Sequence, residues 1–328
     1  MVQSRFEDNQ KRRRKTPFRR FLKIAAVVFT LLLLAGGAAL IYVISQMNSV
    51  TTSAGQELER GRHSEYRTSP VDVSSDSFSI LFLGVDDRGE DLSGRTDANI
   101  LATFNKEEES VKLLSIPRDS LVEIPDRGND KINHAHAFGG VDKSVETVEN
   151  LFQLPVDYFV TINFVAFMEI VDAFGGVEVD SPMAFTESDS TDKSTVDIKE
   201  GVQTLDGEQA LAYARMRKHD PRGDIGRGER QQEVVAGLLE KGASFRSITR
   251  FDDIMSSLEN HMKTNLAFGD IMSMHSYACS QENIETLGLE GSDLSQDGIY
   301  YYDLDPASLE EVSARLRQHL DLEPAVEE

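Results

Sequence analysis

The chain has 328 residues with 34 Lys and Arg against 56 Asp and Glu, so its formal net charge is −22. Nine of the 34 basic residues precede Ile24, against two of the acidic ones, which leaves −29 on the remainder. The strong negative charge of this remainder excludes duplex nucleic acid as a partner, because duplex binding requires basic residues to neutralise many phosphates. The single cysteine, Cys279, excludes an intramolecular disulfide and thiolate-rich metal sites.

The N-terminal part predicts a membrane anchor. A basic arm over 1–23 precedes 24–44, which runs 21 residues without a charge. At about 1.5 Å per residue a helix of this length spans a bilayer core of about 30 Å. The positive flank places the N-terminus in the cytoplasm, so we expect a single-pass type II protein of the cell membrane. A cleaved signal peptide is the alternative, although its apolar region is usually about 7–15 residues long.

The rest of the chain predicts a polar extracytoplasmic tether over 45–76 and one folded domain over 77–328. Short apolar runs alternate with segments of helical periodicity, which indicates an α/β fold. We expect a layered α-β-α domain whose central mixed β-sheet is flanked by helices, with a polar surface excursion at 181–200. Strands are predicted at 78–83, 99–104, 111–116, 157–162, 177–179, 284–289 and 299–304. Helices are predicted at 141–152, 164–174, 206–214, 226–241, 251–261, 268–280 and 306–320.

Charged clusters adjoin three of the predicted strands, at 84–88, 95–97 and 115–119. Because ligands bind at strand ends in α/β sheets, these clusters can converge on one site. Asp86 and Asp97 are carboxylates suited to Mg²⁺, which takes one or two of them together with substrate phosphates. Arg118 follows Pro117, which ends the strand and leaves the guanidinium beyond the sheet. Ordinary surface carboxylates, and a surface ion pair of Arg118 with Asp119, are the alternatives.

A basic window at 212–231 opposes the general charge trend and predicts a site for a phosphate or pyrophosphate. Arg215 and Arg217 lie on one side if the chain is extended after Ala214. Arg227 lies near the start of a predicted helix, where an anion is favoured, and shares a helical face with Gln231. A solvated patch paired with neighbouring acidic residues is the alternative. The cations of the window are Arg215, Arg217, Lys218, Arg222, Arg227 and Arg230.

Other catalytic signatures are weaker. His134 and His136 have strand spacing and could bind a metal, but hydrogen bonding or a loop role beside the site is the favoured interpretation. The sequence contains no GxSxG, HExxH or Walker motif. A serine nucleophile with an activating base is therefore not indicated.

These motifs together resemble the LytR-CpsA-Psr family of bacterial cell-wall enzymes. The resemblance covers roughly 78–242 and the single N-terminal span. Its motifs are LGVDDR (83–88), RTDANIL (95–101), SIPRD (115–119), INHAHAFGG (132–140), FGGVEVD (174–180), LDGEQALAYARMRK (205–218) and DIGRGERQ (224–231). Each motif alone is weak, whereas the order and spacing of the set are specific.

The resemblance implies a Mg²⁺-dependent phosphotransferase, with Mn²⁺ as an alternative ion. It would move an anionic glycopolymer, wall teichoic acid or similar, from an undecaprenyl-pyrophosphate carrier to peptidoglycan, at the C6 hydroxyl of N-acetylmuramic acid. By motif position Asp86 and Asp97 would hold the metal. The acceptor hydroxyl must also lose its proton, for which Asp119 and Asp224 are the possible bases. The residues implied to hold the pyrophosphate are Arg88, Arg95, Arg118, Arg215, Arg217, Arg227 and Gln231.

Two other functions stay open from the sequence. One is an extracytoplasmic module that binds wall polymers and regulates without catalysis. The other is a pyrophosphatase acting on prenyl pyrophosphate. Both would use the same cluster of arginines, so composition and spacing do not separate them from a transferase.

Overall fold

A computed structural model describes residues 55–61, 63–86, 92–242, 261–274, 277 and 283–322. The predicted membrane span at 24–44, Arg88, Cys279 and most of the predicted helix at 251–261 lie outside these residues. Within the described part of the chain, none of the helices combines the length and apolar character needed to cross a membrane. All described residues belong to one compact unit, 50–328.

The described residues form a mixture of strands and helices. The strands are β1 (Phe78–Val85), β2 (Thr96–Asn105), β3 (Ser110–Ser115), β4 (Leu121–Ile124), β5 (Gly128–Lys131), β6 (Tyr158–Ile162), β7 (Val177–Ser181), β8 (Phe185–Ser188), β9 (Thr195–Ile198), β10 (Gly201–Leu205), β11 (Met262–Thr264), β12 (Ile284–Leu287), β13 (Gly291–Gln296) and β14 (Ile299–Leu304). The helices are α1 (His134–Phe152), α2 (Phe164–Ala173), α3 (Gly207–Arg215), α4 (Asp224–Gly242), α5 (Phe268–Ser273) and α6 (Pro306–His319).

A six-stranded sheet in the order β11-β6-β1-β2-β3-β12 forms the centre of the domain. The pairs β1–β6 and β3–β12 are parallel, and the other neighbours are antiparallel. The smaller pairs β4–β5, β7–β10, β8–β9 and β13–β14 are antiparallel. The prediction of a mixed α/β domain around a central mixed sheet is therefore confirmed.

Helices cover both faces of this sheet, because alternate side chains of each strand point to opposite faces. In β1, Leu81 and Leu83 belong to a buried cluster with residues of α1 and α6. Ile80 belongs to a second cluster, which includes Val235 and Leu239 of α4. A third cluster joins Val234 of α4 to β7, β10 and α3. The sheet is thus fixed on both sides, and its strand ends are held in place.

Several elements depart from the sequence prediction. Helix α1 begins at His134 rather than 141, with a kink where Gly139 and Gly140 leave helical geometry. The excursion at 181–200 contains the hairpin β8–β9, anchored by the buried Phe185 and Ile198. One buried residue per strand is too little to produce a periodic signal. Strand β5 has the sequence GNDK, which contains no large apolar residue, so hydrophobic periodicity cannot identify it as a strand.

The described part of the predicted tether packs against the domain. Leu58 and Val73 are buried in its clusters. Arg67 forms an ion pair of 2.7 Å with Asp157, and Arg60 pairs with the buried Glu149. The described residues 55–61 and 63–76 of the predicted tether are therefore held on the folded unit. The polar composition concealed this, because the contacts are made mainly by ion pairs and two isolated apolar side chains.

A buried histidine predicts acid sensitivity of the fold. His319 accepts or donates hydrogen bonds at Thr103 Oγ1 (2.7 Å) and Ser110 Oγ (2.8 Å). Burial, followed by the charge of Lys112, lowers the pKa of His319 to about 4. In the unfolded chain the pKa is about 6.5. Between these values the unfolded state binds more protons, so stability is complete above about pH 6.5 and falls as the pH approaches 4.

The loss from this group is expected to reach about 1.4 kcal/mol per pH unit within that window. Chemical denaturation at a series of pH values measures it, with His319→Gln as the matched variant. Because glutamine retains hydrogen-bonding capacity without titrating, its free energy of unfolding should fall less steeply than that of the wild type. Parallel pH dependence in both proteins would contradict the assignment.

Candidate functional site

Three strand ends meet at one edge of the sheet. β1 ends and β2 begins at the paired residues Val85 and Thr96, while Ser115 at the end of β3 pairs with Ile100. Gly84 pairs with Ala98, so Asp97 is an extra residue that forms a bulge in β2. Bulges re-aim side chains and are frequent beside active sites. The three clusters predicted from the sequence are thereby brought to the same edge.

Arg118 lies at the centre of this edge. Its Nη1 donates to Asp97 Oδ1 at 2.5 Å, and its Nε lies 3.6 Å from Asp119 Oδ2 and 3.7 Å from Asp224 Oδ2. Burial opposes the charge of Arg118, but Asp97, Asp224 and Asp119 together outweigh burial and raise the pKa of Arg118. The guanidinium is therefore a fixed positive charge held by carboxylates from different segments.

Helix α4 approaches the end of β3 closely enough to add its own charged residues. A Cβ at Gly228 would lie 2.6 Å from Ser115 Oγ, and one at Gly226 would lie 1.9 Å from Asp220 Oδ2. The absence of a side chain at Gly228 permits the contact of α4 with β3, and its absence at Gly226 leaves room for the carboxylate of Asp220. The approach places Arg227 Nη2 3.4 Å from Asp224 Oδ1, and burial lowers the pKa of Arg227 despite that carboxylate.

The end of α3 completes the cluster of cations. The helix begins with a capping box formed by Asp206 and Gln209, as its sequence indicates. It ends at Arg215, one residue later than predicted, so Arg215 is helical and the expectation of an extended chain directly after Ala214 is wrong. The backbone leaves helical geometry at Met216, with φ −58° and ψ 129°. Arg215 lies over the ring of Phe164 at 4.9 Å, and Arg217 Nη1 lies 3.6 Å from Asp224 Oδ1.

These segments enclose a cavity of about 240 Å³, referred to below as the basic cavity. Its cations come from the end of α3 and the start of α4, and its acidic and polar residues come from β2 and the hairpin β8–β9. The lining residues are Asp97, Glu187, Ser188, Asp192, Arg215, Arg217, Lys218 and Arg227. The contribution of the hairpin could not be predicted from the sequence, because its acidic residues resemble ordinary surface residues.

Buried polar atoms beside the basic cavity indicate an anionic ligand. Arg118 Nε and Arg215 Nη1 are buried without a hydrogen-bond partner among the described residues. An unpartnered buried donor costs about 1–3 kcal/mol, and more when it is charged. Phosphate oxygens match guanidinium donors in pairs and would supply the partners that these atoms need. The arrangement can therefore bind a diphosphate and stabilise charge that develops on it.

Asp119 and Asp224 form a carboxyl pair next to Arg118. Burial raises the pKa of Asp224 against the charge of Arg227, and a hydrogen bond shared with Asp119 adds to the rise. Burial also opposes ionisation of Asp119, but hydrogen bonds from Lys131 and Asp224 outweigh it and lower its pKa. Lys131 Nζ lies 2.7 Å from Asp119 Oδ1. Asp224 therefore has the higher proton affinity of the two carboxyls.

The fit of Mg²⁺ rests on the bulge in β2. Asp97 lines the basic cavity, and the backbone N–H of Asp86 donates to Arg95 O at 3.2 Å, so the two aspartates lie at the joined ends of β1 and β2. Oxygen donors of this kind fit an ion that also takes water and phosphate oxygens. Within the described ranges no group of three or more His, Cys, Asp or Glu side chains could hold a metal by itself.

Other residues singled out from the sequence occupy different positions. Arg95 is exposed and is not part of the lining of the basic cavity. Gln231 Nε2 donates to the backbone oxygens of Asp97 (3.4 Å) and Ala214 (3.3 Å), and so links β2 to the end of α3. Arg230 and Arg222 pair with acidic residues of their own segment and hold its conformation.

The two histidines make hydrogen bonds within the domain. His134 Nδ1 lies 2.8 Å from Asp130 Oδ2, and His136 Nδ1 lies 2.9 Å from Gly94 O. Burial lowers the pKa of His136, so the neutral form is favoured. His136 therefore fastens the start of α1 to the loop before Arg95, which agrees with the hydrogen-bonding interpretation from the sequence.

Comparison with known proteins places this site in a family. The model of the LytR_cpsA_psr family matches residues 41–318, which is most of the chain. The chain belongs to the LytR_cpsA_psr family. This confirms the resemblance drawn from the seven motifs.

Relatives of known name agree in length and fold. The chain is 39% identical over 320 residues to the polyisoprenyl-teichoic acid–peptidoglycan teichoic acid transferase TagT of Bacillus subtilis, covering 96% of this chain and 99% of TagT. It is 38% identical to TagU of the same organism, covering 95% and 99%. A structure of YwtF (TagT) with bound octaprenyl pyrophosphate lipid matches with a TM-score of 0.65 at 36% identity, covering 81% of this chain and all of that one. Together these similarities show that this family member is a transferase.

Proposed function

We propose that the protein transfers an anionic glycopolymer, wall teichoic acid or similar, from an undecaprenyl-pyrophosphate carrier to peptidoglycan. The acceptor is the C6 hydroxyl of N-acetylmuramic acid, and the reaction depends on Mg²⁺. The observation that carries the proposal is the convergence of Arg118, Arg217 and Arg227 on Asp224 beside a cavity lined with cations. The names of TagT and TagU and the lipid bound to YwtF support the same chemistry.

In this proposal the arginines position the diphosphate and offset its charge. Phosphoryl transfer depends on positioning and electrostatic stabilisation and requires no covalent nucleophile. Arg215 and Arg227 line the basic cavity, and Arg118 adjoins it through Asp97. Arg95, Gln231 and Arg88, which the family motifs also assign to the diphosphate, keep that role as expectations.

The carboxyl pair would receive the proton of the attacking hydroxyl. Asp224 is the stronger base of the two because burial raises its pKa. Asp119 forms a hydrogen bond with Asp224 and accepts another from Lys131. A general base must lie within hydrogen-bond reach of the proton that it removes, so the acceptor hydroxyl has to approach this pair.

Asp86 and Asp97 would hold Mg²⁺, or Mn²⁺ in its place, beside the diphosphate. A divalent ion at this position would offset negative charge on phosphate oxygens. Asp97 already lies 2.5 Å from Arg118, so its carboxylate would belong to both the metal site and the arginine cluster. We also propose that 24–44 anchors the protein in the cell membrane, with the domain outside, where carrier and acceptor meet.

The proposal is tested with full-length protein in detergent micelles, a polyprenyl-pyrophosphate-linked polymer and peptidoglycan. We expect polymer to become attached to peptidoglycan, attachment to stop on chelation by EDTA, and excess Mg²⁺ to restore it. Peptidoglycan whose C6 hydroxyls are O-acetylated is the matched acceptor and should receive none. Release of polymer into water alone would instead indicate a pyrophosphatase, and binding without turnover a regulatory module.

A further inference from the structure

A second, smaller cavity of about 60 Å³ adjoins the carboxyl pair. Asp119, Asp224 and Pro117 line it together with Asp293, Tyr300 and Tyr302 of the hairpin β13–β14, and Arg222 is the one cation in its lining. Asp224 joins the two cavities, since it lines this one and contacts Arg217 and Arg227 of the basic cavity. We call the smaller one the acidic cavity.

The hairpin is fixed to the segment that carries Arg118 and Asp119. The backbone N–H of Tyr302 donates to Asp119 O at 2.8 Å, and Ser120 and Tyr302 form a β-bridge. Lys131, which holds Asp119, lies 5.8 Å from the ring of Tyr300. Backbone contacts therefore fix the positions of the two tyrosines relative to the carboxyl pair.

Tyr300 presents its ring to solvent at the mouth of the acidic cavity. It is 43% exposed, and its hydroxyl donates to Asp293 Oδ1 at 2.8 Å, which fixes the ring. Ile225, which also lines the cavity, is exposed as well. A fixed aromatic face with carboxylates beside it suits a saccharide, whose C–H face packs on the ring while its hydroxyls donate to the carboxylates.

The charge and size of the acidic cavity select the part of the ligand that can enter. Its three carboxylates outnumber the one cation in its lining, Arg222, so a neutral alcohol that donates to the carboxylates is favoured there over a phosphate. The cavity has room for more than one water-sized group, so a hydroxyl or a hydroxymethyl arm of the saccharide fits within it.

We propose that the acidic cavity and Tyr300 form the subsite for the acceptor glycan. The saccharide ring lies on Tyr300, and its primary hydroxymethyl group enters the cavity and meets Asp119 and Asp224. This subsite rests on the proposed function and adds the surface that holds the acceptor ring. A primary hydroxyl stands one carbon further from the ring than a secondary one, so it reaches further toward the carboxyl pair.

The step at this subsite balances as a phosphoryl transfer. The hydroxyl oxygen forms a bond to the phosphorus that carries the glycopolymer. The bond from that phosphorus to the bridging oxygen of the diphosphate breaks, and polyprenyl monophosphate leaves with the electron pair. The hydroxyl proton passes to the Asp119–Asp224 pair. No oxidant, reductant or further reactant is required.

The test measures binding and turnover separately for Tyr300→Ala in the full-length protein. We expect the dissociation constant for polymer-free glycan strands and the KM for peptidoglycan to rise about tenfold, the loss typical of a truncated aromatic anchor. Affinity for polyprenyl pyrophosphate and kcat should stay unchanged. Tyr300→Phe keeps the ring and should restore most of the affinity. Phe138→Ala is the matched control, because Phe138 is similarly exposed (40%) and lines neither cavity.

Each outcome decides the subsite independently of the reaction. Unchanged glycan affinity and KM in Tyr300→Ala would overturn it, even if the wild type transfers polymer. A loss of polyprenyl-pyrophosphate affinity in place of glycan affinity would overturn it too, because the cavity would then serve the donor. Weakened glycan binding in a protein that transfers nothing would support the subsite and refute the proposed function.

Discussion

Replacing Arg227 by alanine is expected to lower the rate of polymer transfer about 100- to 1,000-fold while the domain stays folded. Such a loss is typical when one fixed group that stabilises developing charge is removed. Arg227 is only 6% exposed, and its guanidinium lies 3.4 Å from Asp224 and lines the basic cavity. It therefore needs no reorganisation to meet a phosphate. Transfer to peptidoglycan is measured under saturating donor, with circular dichroism as the check on folding.

The charge of Arg227 and the geometry of its guanidinium can be separated. Arg227→Lys keeps a positive charge but loses the planar pair of donors that matches phosphate oxygens. We expect it to remain well below wild type, although above the alanine variant. Arg315→Ala removes the same charge from a surface pair with Glu285 and should transfer normally. Equal activity of the wild type and Arg227→Ala would refute the role of this arginine.

Replacing Arg230 by methionine is expected to destabilise the domain by about 3–5 kcal/mol, the usual cost of removing one partner from a buried ion pair. Arg230 is 3% exposed and donates to Asp220 Oδ2 at 2.6 Å and to Tyr213 O at 3.2 Å. It also donates to Met216 O. The guanidinium thus fixes the end of α3, which carries Arg215, and the segment after it, which carries Arg217.

Chemical denaturation measures this loss, and a double-mutant cycle identifies its origin. Asp220→Asn should be destabilising alone, and the Arg230→Met/Asp220→Asn protein should be more stable than the sum of the single losses predicts. Coupled neighbours typically differ from additivity by about 0.5–3 kcal/mol. Additive losses, or a wild-type midpoint for Arg230→Met, would contradict the assigned pairing.

The sequence predicted where the candidate site lies better than it predicted which residues line it. Strand ends placed Asp97 and Arg118 together because the apolar runs of β1 to β3 are continuous and their boundaries are clear. The density of arginines identified the window around Arg215 and Arg227. It did not separate Arg230 from Arg227, which are only three residues apart. One is bound to buried carbonyl and carboxylate groups and the other lines a cavity, a difference set by tertiary contacts alone.

Contacts between segments that are far apart in the sequence could not be predicted from local sequence patterns. Tyr300 and Tyr302 lie near the C-terminus in an apolar strand, and their position beside Asp119 depends on a hairpin that pairs across the chain. The buried contacts of Leu58 and Val73 are likewise made by isolated apolar residues in polar sequence. Periodicity detects a repeated face, so single anchoring residues of this kind leave no signal.

In the proposed site, guanidinium groups from separate segments surround one diphosphate. A crystal structure of the protein with bound polyprenyl pyrophosphate measures this directly, through the distances from phosphate oxygens to each arginine. We expect both phosphates at the basic cavity, with the guanidinium nitrogens of Arg118, Arg215, Arg217 and Arg227 within about 3 Å of their oxygens. A diphosphate bound elsewhere, or contacted by none of these four, would contradict the claim.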